Sequence, residues 1–146
     1  MKKKPWILVA HRTEATVYTV ERPTGPLVKL HKLDHPAGAL KNRDLETDRP
    51  GRAFDSAGKG RHAMSHEVEP AEQEVLRFAQ RVAEELRAGR VAREYDKLLL
   101  VAAPKFLGHL RAALDDETRA CVSFELDKNL AREDAKEIRR RLPERL

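Results

Sequence analysis

The residue types best equipped for chemistry gather in one stretch, Asp48 to Met64, which reads DRPGRAFDSAGKGRHAM. Between Arg49 and Arg61 it holds four basic residues against one acid, and it carries three of the chain's seven glycines. Arginine presents a flat fork of donors that matches a phosphate. Glycine lets a backbone come close to a ligand. A stretch of this length without helical or strand period, set inside a patterned chain, is either functional or a solvated connector. The candidate phosphate contacts are Arg49, Arg52, Gly58, Lys59, Gly60 and Arg61, with His62 beside them. The alternative is a basic connector that binds nothing.

Several familiar chemistries fail on spacing or context. Gly58 to Ala63 matches G-x-G-x-x-A, but no apolar strand precedes it and no helix opens on it. Ala53 to Gly60 approaches a Walker loop but lacks the first glycine and the closing Ser or Thr. His31 and His35, like His62 and His66, are four apart, a metal spacing only on a helix, and no third ligand stands out. Ser56 and Ser65 lie near His62, Asp55 and His66, but a nucleophile needs partners held in geometry, which this stretch does not promise. The site as read therefore holds no metal, and no cofactor is expected.

A loop can act only if rigid elements hold it, and the rest of the chain supplies them. Trp6–Ala10 and Lys97–Ala102 are apolar runs of the kind buried on both faces of a sheet. Ala15–Val20 is β-branched and aromatic, close enough to the first run to form a hairpin. Pro23–Pro26 is a turn, and Leu27–Leu33 a third strand with Leu27, Lys29, His31 and Leu33 on one face. Short helical turns fit around Leu40 to Leu45. Pro70 opens a helix with Val75, Phe78, Ala79, Val82 and Leu86 on one stripe, ending near Gly89 or resuming through Val91 and Tyr95. Pro104 opens another, with Phe106, Leu107, Leu110 and Leu114 apolar. Cys121–Leu126 alternates as a last strand, and Ala135, Ile138 and Leu142 line a final helix closed by Pro143.

The order βββ–loop–α–β–α–β–α implies an α/β, ribonuclease H-like three-layer domain. Its mixed five-stranded sheet has order 3-2-1-4-5 and is flanked by helices. Residues 1–146 form one domain, with the basic Gly-rich loop at about 36–70. A ribonuclease H-like nuclease needs carboxylates at the strand ends to hold two metals. Here strand 1 ends in Ala10-His11-Arg12 and strand 4 in Ala102-Ala103-Pro104, which excludes a metal-dependent nuclease.

Composition narrows the partners. The net charge is +5, the pI about 9.5, charged residues make up 36% and aromatics only 5%. The charge suits nucleic acid, a ribosome or an anionic surface, and the scarcity of aromatics argues against a base-stacking platform. The lone Cys121 cannot form an internal disulfide. Met1-Lys2-Lys3-Lys4 resembles a signal n-region, but the apolar run after it is too short, so a cytoplasmic protein without membrane insertion is expected.

Trp6–Ala10, Asp48–Arg52, Phe54–Ser56, Gly60–Met64 and Pro104–Gly108 together resemble the bacterial host attachment protein family, proteins described as required for attachment to host cells. The likeness continues through Glu125–Lys128 and Arg141–Pro143, nearly the whole chain. That family is similar in fold to the middle domain of archaeal and eukaryotic class-one peptide-chain release factors. There a Gly-Gly-Gln loop between the third strand and the long helix positions water on the peptidyl-tRNA ester. Gly58-Lys59-Gly60-Arg61-His62 lies in the same slot here, and Leu76-Arg77-Phe78-Ala79 follows on the helix. The glutamine is absent and His62 is its nearest substitute. The resemblance implies an RNA- or ribosome-binding factor whose partner is ribosomal RNA or tRNA. If it is an enzyme, it implies a peptidyl-tRNA ester hydrolase with His62 catalytic. The alternative is a non-enzymatic cytoplasmic interaction protein that supports attachment indirectly.

Overall fold

The computed structural model of the chain describes residues 4–34 and 70–146. The elements in order are β1 (Trp6–His11), β2 (Glu14–Val20), β3 (Leu27–Asp34), α1 (Pro70–Val91), β4 (Leu98–Ala102), α2 (Pro104–Ala113), α3 (Asp116–Arg119), β5 (Val122–Leu126) and α4 (Ala135–Arg140). The five strands form one sheet in the order β3-β2-β1-β4-β5. β1 pairs antiparallel with β2 and parallel with β4, and β4 pairs parallel with β5. The mixed sheet and its order are those expected from the sequence.

The two apolar runs become the two central strands because both of their faces are covered. Trp6, Leu8 and Ala10 of β1, with Leu98, Leu100 and Ala102 of β4, face α1 and α2. Ile7 and Val9, with Leu99 and Val101, face Ile138 of α4 and the flanking Leu130 and Leu142. All eleven residues of β1 and β4 are buried. At about 25 cal/mol per Å² of apolar surface removed from water, this double burial is the main force holding the sheet.

α1 carries a proline at its first position, Glu72 in its first turn and Arg90 in its last, each matched to the helix dipole. Phe78, Ala79, Val82, Ala83 and Leu86 pack on the sheet. The helix runs past Gly89 to Val91, because Gly89 stays helical against the Trp6 ring; Arg93, at φ 60°, then lies in the left-handed region.

Three expectations need correction. β3 does not keep one face throughout. Val17 pairs with His31 but Tyr18 pairs with Lys29, so Leu30 is a bulge. Paired residues share a side, so Leu27 and Lys29 lie on one face and His31 and Leu33 on the other. Asp116–Arg119 forms a short helix that the sequence pattern did not reveal. The last helix is only six residues long, capped by the Asp134 side chain on Glu137 N–H at 2.9 Å, and Leu142 lies beyond it. The helical turns expected near Leu40 to Leu45 fall outside the described residues.

Candidate functional site

β1 and β4 run in the same direction, so their carboxyl ends lie side by side, where open α/β sheets bind ligands. β1 passes into β2 through the two-residue turn Arg12-Thr13, while Ala103 carries β4 into α2. The first turns of α1 and α2 and the connection after β5 close around these ends. Together they bound a cleft of about 690 Å³.

Among the described residues, its lining carries three cationic side chains, Arg12 from the β1–β2 turn, Lys105 from the first turn of α2 and Arg132 from the connection after β5, against one carboxylate, Glu72. Ala71, Val75, Ala103 and Phe106 add apolar surface, and Thr13 and Asn129 add neutral polar groups. Lys105 Nζ lies 3.6 Å from Glu72 Oε1, and His109 Nε2 lies 3.3 Å from Glu72 Oε2. The Asn129 side-chain Oδ1 accepts from Ala131 N–H at 3.2 Å, which fixes the loop that carries Arg132. α2 begins with Ala103 as its cap, a residue whose side chain makes no capping hydrogen bond to the N–H groups of the first turn.

His11 closes β1 and is 7% exposed. Thr13 N–H donates to its Nδ1 at 3.3 Å, and its Nε2 lies 3.2 Å from Glu14 Oε2. This arrangement fits an imidazole protonated at Nε2, donating to Glu14. Both ring nitrogens are thus engaged, and His11 braces the Arg12-Thr13 turn rather than offering a base to the cleft. Lys32 on β3 reaches Glu14 Oε1 at 3.0 Å from the other side. Burial by itself raises the Glu14 pKa, but hydrogen bonds from Lys32 and His11 outweigh it and hold the carboxyl below its usual value.

All seven residues named from the sequence lie outside the described residues: Arg49, Arg52, Gly58, Lys59, Gly60, Arg61 and His62. So do His35 and His66. His31 stands on β3 with Nε2 3.1 Å from Glu85 and its ring edge-on to Trp6 at 5.4 Å, a packed position away from the cleft. Among the described residues, no three His, Cys, Asp or Glu side chains group to hold a metal.

The profile of a family described as protein required for attachment to host cells matches residues 6–142. The chain belongs to this host-attachment family. No curated protein matches it. The match spans every strand and helix of the fold, so the cleft is built within the part that defines the host-attachment family. No described helix is long and apolar enough to cross a membrane.

Sequence reasoning examined both strand ends, but for acids rather than for cations. Arg12 follows β1 directly and Lys105 follows Pro104 at the start of α2. The carboxyl-end rule, applied to basic residues, would have picked both. Glu72, His109 and Arg132 carried no signal, because only the fold brings positions so far apart in sequence together.

Proposed function

We propose that this host-attachment protein is an RNA-binding factor that works inside the cell and meets its polyanion at the carboxyl end of the sheet. The observation behind this reading is the cleft at the ends of β1 and β4, where, among the described residues, Arg12, Lys105 and Arg132 outnumber one carboxylate, Glu72. Cationic side chains around a concave surface concentrate field and attract phosphates. The net charge of +5 points the same way.

The ribonuclease H-like class and the likeness to release-factor middle domains extend the proposal. In that reading the basic loop between the third strand and α1 adds Arg49, Arg52, Lys59 and Arg61 as phosphate contacts. Gly58 and Gly60 allow backbone approach, and ribosomal RNA or tRNA is the partner. Any peptidyl-tRNA hydrolysis would depend on His62, and unchanged turnover in His62→Ala would remove it as a participant.

A salt titration of RNA binding tests the reading. Each phosphate neutralised on a single strand adds about −0.7 to the slope of log K against log salt. Arg12→Ala/Arg132→Ala should therefore flatten the slope by about 1.4 if both contact phosphate. Arg52→Ala/Arg61→Ala tests the loop in the same way. Absent or salt-insensitive binding rejects the proposal.

The family's description favours a second reading, a non-enzymatic interaction protein that supports attachment indirectly. Capture from lysate separates the two. Ribosomal proteins with RNA favour the first, and one discrete protein partner favours the second.

A further inference from the structure

The cleft is more selective than a generic basic surface. A double-stranded backbone lies on a flat face, whereas this cleft is concave, about 690 Å³, and bounded by three connections and two helix starts. That volume falls within the roughly 300–1,000 Å³ range of sites for drug-sized molecules. An inorganic phosphate would fill a small part of it. The lining is also mixed: Arg12, Lys105 and Arg132 supply cations, Ala71, Val75 and Ala103 apolar surface, and Thr13 and Asn129 neutral hydrogen-bonding groups.

We infer that the cleft binds one nucleotide through its 5′-phosphomonoester, either free or at the end of an RNA strand. This deepens the anion-binding reading above and rests on it for the sign of the ligand's charge. A phosphomonoester carries about −1.5 to −2 charges at pH 7, whereas each internal phosphodiester carries one. Among the described lining residues, three cationic side chains with one carboxylate suit the former. The phosphate lies toward Lys105 and Arg12, where the uncapped first turn of α2 adds N–H donors. The nucleoside covers the apolar flank, and its ribose hydroxyls meet Thr13 and Asn129.

Titration calorimetry on the full chain tests this with adenosine 5′-monophosphate, adenosine and inorganic phosphate. The monophosphate should bind at least tenfold more tightly than either fragment. Lys105→Glu changes a side chain that is 78% exposed, so the fold should survive, and it should weaken the monophosphate at least tenfold. Equal affinity for the monophosphate and inorganic phosphate, or an unaffected Lys105→Glu, overturns the inference.

Short oligoribonucleotides with a 5′-phosphate or a 5′-hydroxyl separate the two sources. Displacement of the monophosphate by the phosphorylated strand alone assigns the site to RNA ends, and displacement by neither assigns it to free nucleotide. Displacement by both equally overturns the phosphomonoester. Long RNA that binds while the monophosphate does not sinks this inference and leaves the RNA reading standing. The reverse result sinks the RNA reading alone.

Discussion

Gly89 of α1 lies flat against the Trp6 ring at the start of β1. A methyl group added at Gly89 would stand 2.6 Å from Trp6 Cζ3 and closer still to Cη2. Trp6 is itself 4% exposed, with the Tyr95 ring tilted against it at 4.7 Å. Glycine inside a helix normally costs about 1 kcal/mol relative to alanine. Overpacking a core of this density costs about 1–3 kcal/mol, so the clash wins. Gly89→Ala should destabilise the protein by about 1–2 kcal/mol. Urea unfolding followed by Trp6 fluorescence checks this, and a raised midpoint would contradict it.

Arg139 ties the carboxyl-terminal tail to the β2–β3 turn. Its Nε donates to Gly25 O at 2.8 Å, Nη1 to Pro143 O at 2.8 Å, and Nη2 to Pro23 O at 3.2 Å and Glu144 O at 2.7 Å. Four carbonyls on two segments need a planar fork, which lysine lacks. Arg139→Ala should lose about 1–3 kcal/mol and speed proteolysis after Leu142, and Arg139→Lys should restore little of either. A lysine variant of wild-type stability would show that charge alone suffices.

The sequence carried the fold wherever one local pattern decided an element. The five-residue apolar core of β1 and the Leu98–Ala102 run read correctly as central strands because burial on both faces leaves no polar alternation. The Leu30 bulge was not legible, since alternation looks continuous until the partner strand fixes which residue is extra. The cleft was hidden for a related reason. His11, Glu72, Lys105 and Arg132 converge only after α1 and α2 have packed on the same face of the sheet. The basic stretch from Arg49 to His62 was conspicuous in composition, whereas the cleft is defined by placement.

Tyr95 donates its hydroxyl to Leu86 O at 2.5 Å, and burial pushes the phenol well above its ordinary value of 10.0. Burial also raises Tyr18. A raised phenol pKa means the folded state keeps its proton where the unfolded chain has lost it. Stability is therefore complete below about pH 10 and declines as pH rises further. Alkaline absorbance titration should show less tyrosinate at pH 10 in the folded protein than in the unfolded chain. Tyr95→Phe should shallow the alkaline decline while costing about 1 kcal/mol at neutral pH. Ordinary titration of both phenols in native protein would refute this.

Glu14 and Asp115 bend stability in the opposite direction at acid pH. Asp115 is held below its usual 3.8, first by the hydrogen bond from Thr118, with Arg90 Nη2 3.4 Å away. Glu14 is held below 4.5. Depressed carboxyl values give stability that is present above the unfolded values and is lost as pH falls through the folded ones. Unfolding midpoints should decline below about pH 4.5, and Glu14→Gln should flatten that decline. A mutant with the same acid slope would remove Glu14 from the account.

Glu72 works against the three cations of the cleft. Its carboxylate stands 3.6 Å from Lys105 and 3.3 Å from His109, drawing both toward the α1 wall. Removing one negative charge about 4 Å from a bound anion is worth about 1 kcal/mol at the dielectric of water, or about fivefold in affinity. Glu72→Gln should tighten binding of adenosine monophosphate or RNA by about threefold to tenfold at low salt. The gain should shrink as screening shortens the Debye length to about 8 Å at physiological salt. Glu72→Gln keeps the side chain's size, and circular dichroism checks directly that the fold is kept. Weaker binding in this variant would mean that the carboxylate contacts the ligand or orients Lys105 for it. Unchanged binding would mean that the anion sits elsewhere on the protein.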